Sequence, residues 1–189
     1  MTTRRVTGPD GSVYTLFYST NSCFSNFTFC EKLKIDGIDF TCSEQSFMYQ
    51  KAIRFGDKET ARKILETSVP PEMKRLGRQV SPFVPATWDK VSVQAMVVAN
   101  VHKYMQNLDF KEELFATSGS TLVECSPRDR IWGIGLSTKD DRAADRKQWR
   151  GKNKLGFVLT YVRDCLMEEP EMEAEEVIKS VMKKFGKRA

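Results

Sequence analysis

Glu44 and Lys51 stand seven residues apart in a segment whose other inward positions, Phe47, Met48, Ala52 and Phe55, are apolar. At about 100° per residue, a helix returns a position seven residues on to nearly its starting direction, so an acid and an amine share the middle of the stripe that should be most buried. They are not spaced as a helical ion pair, which needs three or four residues; seven separate them by roughly 10 Å along the axis. Either both charges sit on a rim, Glu44 serving a first turn where an acid is favourable, or both line a cavity. The chemistry that suits the second reading is cleavage of an N-glycosidic bond, which builds positive charge on C1′ and O4′ of a ribose. A fixed carboxylate in a water-poor site stabilises that charge. The helix N-terminus helps keep Glu44 ionised, although its dipole partly opposes the carboxylate's help.

The composition narrows the setting. A chain of 189 residues is enough for one core without staples. No apolar run approaches the roughly 20 residues of a membrane span, and the basic start, Met1 to Gly8, has no apolar run behind it. A protein of the cytoplasm or nucleus is the expectation, with no membrane partner. Five cysteines without a C-x-x-C pair and a single histidine, His102, point to reduced thiols and no metal site. A net charge of +5 suits a phosphate-bearing ligand about as well as it suits a plain solvated surface.

The elements that must position these residues can be read along the chain. Val13 to Ser19 has strand composition, and Lys32 to Thr41 alternates around Asp36-Gly37, a hairpin signal. Ser43 is placed to cap a helix running to about Phe55. Helices are expected over Thr60 to Glu66, from Pro70-Pro71 to a stop at Gly77 with Met73 and Leu76 inward, and over Trp88 to Gln106. That last helix carries Val91, Ala95, Val98, His102 and Met105 on one stripe, His102 reading as a satisfied core histidine. Asp109 and Glu112 resemble a capping box, and Thr121 to Cys125 a short strand. An irregular stretch from Ser126 to Gly151 precedes a core helix over Lys154 to Met167. From Glu168 to Ala189 an acidic block and then a basic one flank Ala174, Ile178, Val181, Met182 and Phe185, the pattern of an amphipathic helix. The expectation is an α+β domain over 1–167, a small sheet with a hairpin surrounded by helices, and a helical extension over 168–189.

Several segments together resemble the NADAR (NAD and ADP-ribose associated) family of YbiA-like N-glycosidases. They are Phe17-Tyr18-Ser19, Phe24-Ser25-Asn26-Phe27, Ser43-Glu44-Gln45-Ser46-Phe47, Gln50-Lys51, Gly77-Arg78, Trp88, Leu122-Val123-Glu124, Asp129, Trp132-Gly133 and Gly151-Lys152-Asn153-Lys154-Leu155-Gly156. The resemblance covers about residues 14 to 167. It implies a compact α+β fold without a cofactor and hydrolysis of N-glycosidic bonds, in ADP-ribosylated guanine of DNA or RNA for some members, a repair reaction, and in riboflavin intermediates for others. A non-catalytic ADP-ribose reader would use the same pocket, and a monomer is expected. By the same resemblance Glu44 is the essential acid, Lys51 the family's lysine and Asp129 a loop acid that orients water or ribose hydroxyls. A desolvated amine has a lowered pKa, which opens a Schiff-base route through Lys51 to the ribose C1′. The substrate-binding set is Tyr18, Ser25, Asn26, Phe47, Arg78, Trp88, Trp132, Gly133, Gly135, Lys152 and Asn153. The tryptophans are expected to stack on a ring, and Arg78 and Lys152 with Asn153 to meet a diphosphate. Core packing and surface solvation are the competing roles. The charged segment Lys139 to Arg146 either closes over the ligand or is a solvated loop.

Overall fold

The computed structural model describes residues 3–187. Met1 and Thr2 of the basic start, and Arg188 and Ala189 of the terminal segment, lie outside the described residues.

Three strands make the sheet. β1 (Thr3–Thr7) runs antiparallel to β2 (Val13–Phe17), and β2 pairs in parallel with a strand far along the chain whose C-terminal residue, Glu124, stands opposite Phe17. A short hairpin of β3 (Lys34–Ile35) and β4 (Ile38–Asp39) turns at Asp36-Gly37, both with positive φ (52° and 80°), as an Asp-Gly hairpin turn requires. β5, the parallel partner of β2, is Thr121–Glu124. The sheet is covered on both faces: Leu16 and Val123 join one apolar cluster, Phe17 and Leu122 the main core.

β5 has a strand along one edge only. Its other edge is satisfied by side chains of α6 (Lys154–Glu168) and the residue before it. Leu122 N donates to Thr160 Oγ1 (3.0 Å), Glu124 N donates to Asn153 Oδ1 (3.0 Å), and Asn153 Nδ2 donates to the Leu122 carbonyl (3.0 Å). Two polar side chains thus stand in for a neighbouring strand along this edge. The helix comes this close because residue 156 is glycine: a Cβ there would lie 2.1 Å from the Leu122 carbonyl oxygen.

The helices preceding β5 are α1 (Ser43–Arg54), α2 (Lys58–Glu66), α3 (Pro70–Gln79), α4 (Pro85–Gln106) and α5 (Leu108–Phe115); α7 (Ala174–Gly186) follows α6. The arrangement is the expected α+β class, with four differences in detail. First, Ser43 does not cap α1. Cys42 is the N-cap and makes no side-chain cap bond, and the Ser43 hydroxyl is buried without a partner. The cap comes from another part of the chain, for Glu44 N donates to the Asn26 carbonyl (2.9 Å). Second, Gly77 does not end α3, which runs on to Gln79. Its role is close packing, since a Cβ there would strike Met48 Sδ on α1. Third, the Asp109–Glu112 capping box does not form; Asn107 is the N-cap and its side chain reaches back to Lys103 and across to Lys32. Fourth, the stripe expected on α4 is only half-buried. The helix packs against α1, α5, α6 and α7, so its fully buried positions spread around it as Met96, Val97, Ala99, Asn100, Val101, Lys103 and Tyr104. His102 is half-buried and shares a hydrogen bond with Gln106.

α7 docks on α4 and α6 through buried Val177 and Val181, with Ile178, Met182 and Phe185 around them. All five cysteines are free and buried. No helix among the described residues is long and apolar enough to cross a membrane.

The α6–β5 contact makes a clear prediction. Gly156→Ala forces a methyl into the Leu122 carbonyl, and overpacking of this kind costs about 1–3 kcal/mol. Thermal unfolding should show a midpoint lowered by several degrees, whereas an unchanged midpoint would mean that the helix and strand do not pack this tightly.

Candidate functional site

The carboxylate of Glu44 opens the first turn of α1 inside the protein, where its residue is 5% exposed. One of its oxygens, Oε1, is buried without a hydrogen-bond partner. Three anchors fix this end of α1: Asn26 supplies the carbonyl that accepts from Glu44 N, Asn100 Nδ2 of α4 donates to Asn26 Oδ1, and buried Lys103 Nζ donates to the neighbouring Ser25 carbonyl (2.8 Å). Ser25 Oγ accepts from Phe27 N, tightening the same loop. Ser25 and Asn26, expected against substrate, are placed here as the support of the acid.

Charged groups gather around Glu44. Burial pushes its carboxyl up to about 7; Lys74 and Arg78 on α3 pull it down and Asp129 pushes it further up. Glu124, at the C-terminal end of β5, is displaced to about 8, again first by burial and then by Asp129, with Glu44 adding to the rise and Lys74 opposing it. Three carboxylates therefore share the electrostatic reach of one lysine. Lys74 pairs directly with Asp129 (3.7 Å). The Asp129 carboxylate is held by its own loop, accepting from Ile131 N (2.9 Å) and Trp132 N (2.8 Å). Two buried, coupled acids with raised pKa values are the kind of pair that acid–base sites contain.

Lys51 leaves α1 two turns further on and is half-buried. Its Nζ donates to the Gly77 carbonyl (2.7 Å) and sits 4.2 Å above the Phe83 ring. Burial, and then Arg78, lower its pKa. Of the two heads of the first helix, Glu44 is thus buried and Lys51 half-buried, and Arg78 acts on each.

Phe47, between them on the helix, lies against Trp88 (ring centroids 5.2 Å) and edge-on to Trp132 (5.3 Å), so both tryptophans reach the site through one ring. Gly133 and Gly135 are buried in the loop that carries Asp129, Gly135 with φ of 69° and its N–H on the Asp129 carbonyl. Asn153 is buried with its amide committed to β5, while Lys152, Arg78 and Tyr18 are exposed.

Lys74 is absent from the residues expected from sequence, and Glu124 carries the family resemblance there without a role in the site. Lys74 and Arg78 are four apart on α3, a spacing at which like charges repel, and that pair is a signal of a nearby demand for positive charge. Glu124 ends a strand of a parallel pair, the end at which open sheets place their ligands. Among the described residues, no three His, Cys, Asp or Glu side chains are arranged to hold a metal ion.

The chain is similar to known proteins over most of its length. The NADAR domain model matches residues 16–167. Over 88% of its length the chain is 40% identical to Protein irg-1 of Caenorhabditis elegans, covering 87% of that protein. It is 40% identical to N-glycosidase R617 of Acanthamoeba polyphaga mimivirus over 67% of this chain and 74% of that one. The solution structure of the E. coli protein YbiA superposes with a TM-score of 0.67 at 32% identity, over 85% of this chain and 89% of that one.

Between about pH 4.5 and pH 8 the folded chain holds protons on Glu44 and Glu124 that the unfolded chain has released. Stability therefore falls as pH rises through that window. Glu124→Gln removes one of the two groups, so its unfolding midpoint should fall less steeply with pH than that of the unaltered protein. Parallel slopes would show that Glu124 titrates as an ordinary surface acid.

Proposed function

The chain belongs to the NADAR family and is an N-glycosidase, and we propose that the bond it cuts joins a guanine base to the ribose of ADP-ribose. The observation that carries this reading is the unpartnered, buried oxygen of Glu44 beside a lysine–arginine pair, an acid held ready for a cationic sugar and flanked by charges suited to phosphate. As the C–N bond lengthens, positive charge grows on C1′ and O4′. Ionised Glu44, desolvated and with its backbone N–H held by the Asn26 carbonyl, meets that charge with little reorganisation. Glu124, whose carboxyl burial pushes up to about 8 at the end of β5, is assigned the proton for the departing base. Asp129, locked by two backbone N–H groups and Lys74, orients water or the ribose hydroxyls.

Lys51 supplies the covalent route. In its neutral form the amine adds to C1′ of the ring-opened ribosyl base, the C1′–N bond breaks as the base leaves with a proton, and the imine left on Lys51 is hydrolysed by water to free ADP-ribose and the amine. Its bond to the Gly77 carbonyl must break for this, which costs little because a flexible four-carbon stem carries the amine.

Incubation with guanine-ADP-ribosylated DNA should release ADP-ribose, and Glu44→Gln should lower kcat by about 10²–10³-fold, the cost of losing one preorganised electrostatic partner. Release of ribose phosphate from a ribosylated flavin intermediate, with none of ADP-ribose from the DNA, would replace the proposed substrate. Borohydride added during turnover should leave an adduct that peptide mass analysis locates on Lys51; an adduct on another lysine, or none, removes the covalent route. The pH profile of kcat/KM should turn on the Glu44–Glu124 pair as a unit, with its inflections displaced upward from the ordinary carboxylate range to about 7 and about 8; inflections near 4 to 5 would remove the pair from the reaction.

A further inference from the structure

The amine of Lys51 makes no ion pair among the described residues; a carbonyl at a helix end and an aromatic ring hold it instead. α3 ends at Gln79, so the Gly77 carbonyl belongs to its last turn and has no donor within the helix. Ser81 N, which a longer helix would turn toward that carbonyl, donates to Asp57 Oδ2 (2.9 Å), and Lys51 Nζ takes its place (2.7 Å). The dipole of α3 favours a cation at this end. The centroid of the Phe83 ring lies 4.2 Å from Nζ, well inside the distance at which an aromatic face attracts an ammonium.

Phe83 is held in place from two sides. It lies in the connection between α3 and α4, which Ser81 ties to Asp57, the N-cap of α2. Its ring stands edge-on to Phe55 (5.1 Å), the C-cap of α1. Phe55 is four residues beyond Lys51, so the two share one face of α1 and a single ring reaches both. Against the carbonyl and the ring stand burial and Arg78 of α3, which lower the pKa of the amine. Arg78 is the one charged side chain among the described residues that shifts it; none from α2 or α4 does, and the carboxylate of Asp57 is engaged by Thr60 N (3.0 Å) and Ser81 N.

We infer that Phe83 is a positioning residue for Lys51: the face of its ring keeps the amine charged and pinned to the Gly77 carbonyl, and so sets how readily the amine becomes a neutral nucleophile. A neutral amine offers the ring no charge to attract, so this contact loosens as the proton leaves. The ring therefore works against burial and Arg78, and the balance of the three decides how much neutral amine stands ready. The inference rests on the covalent route proposed for Lys51 and adds to it the group that governs the amine before substrate arrives.

The test separates the face of the ring from its bulk. Phe83→Leu keeps an apolar side chain over the amine and removes the π face, whereas Phe83→Tyr keeps the face; the position is 39% exposed, so neither change disturbs the core. In protein labelled with ¹³C at lysine Cε, with the Lys51 resonance assigned through Lys51→Arg, the titration midpoint should fall in the Leu variant and stay close to that of the unaltered protein in the Tyr variant. Near neutral pH, borohydride should trap the Lys51 adduct about two- to tenfold faster in the Leu variant, the gain in neutral amine from losing one such contact. A midpoint unchanged in the Leu variant, a midpoint that rises because water enters, or an equal fall in both variants would each overturn the inference. No substrate takes part in the titration. Midpoints that behave as expected in a protein that gives no adduct would therefore locate the failure in the covalent route.

Discussion

Glu44 enters the interior of the fold with an oxygen that no hydrogen bond satisfies, and the desolvation of that carboxyl governs everything placed around it. An isolated carboxylate in such a position costs on the order of several kcal/mol, so it either takes a proton or finds positive charge. Here both responses are present at once. Its pKa rises to about 7, and Lys74 and Arg78 lie close enough to limit the rise. Because Glu124 and Asp129 lean on the same lysine, the three acids form one coupled group around Lys74, with Arg78 acting on Glu44 as well. Such a group is poised for a substrate that brings positive charge at one atom and negative charge at another.

The scaffold exists to hold that group still. The first turn of α1 is capped from outside by the Asn26 carbonyl, and Asn26 and Ser25 are themselves anchored to α4 by Asn100 and by Lys103, a fully buried lysine. On the opposite side, Glu124 is aligned by Asn153 and by the close approach of α6 that Gly156 permits. Two buried polar networks thus position two acids, and each uses side chains in place of regular backbone pairing. Networks of this kind define one arrangement when every member is satisfied. The exceptions, the hydroxyls of Ser43 and Ser46, Glu44 Oε1 and Asn100 Oδ1, fall on α1 around the acid or on the residue that braces its loop.

The conflict between charge and apolar pattern on α1 was legible because helical periodicity is local, and the Asp-Gly hairpin and the Pro-initiated start of α3 were legible for the same reason. Long-range choices were not. Nothing near Ser43 in the chain reveals that a carbonyl from residue 26 will cap its helix, so the local residue with the right oxygen was preferred over a distant backbone group. Gly77 reads as a stop until Met48 is known to face it. Ser25, Asn26 and Asn153 have the polarity of binding residues, yet their hydrogen bonds are used within the fold; only the three-dimensional pairing with α1 and β5 separates the two roles. Glu124 was missed because a strand-end acid looks solvated until α6 and the Asp129 loop cover it.

The most direct measurement is the titration of Glu44 itself, followed by the side-chain carboxyl ¹³C resonance in protein labelled at glutamate and assigned with Glu44→Gln. The midpoint should lie near 7, with a second inflection where Glu124 titrates above it. A single midpoint in the ordinary range of about 4 to 5 would mean that water reaches this carboxylate freely, and that the fold holds no desolvated acid for an N-glycosidic bond to meet.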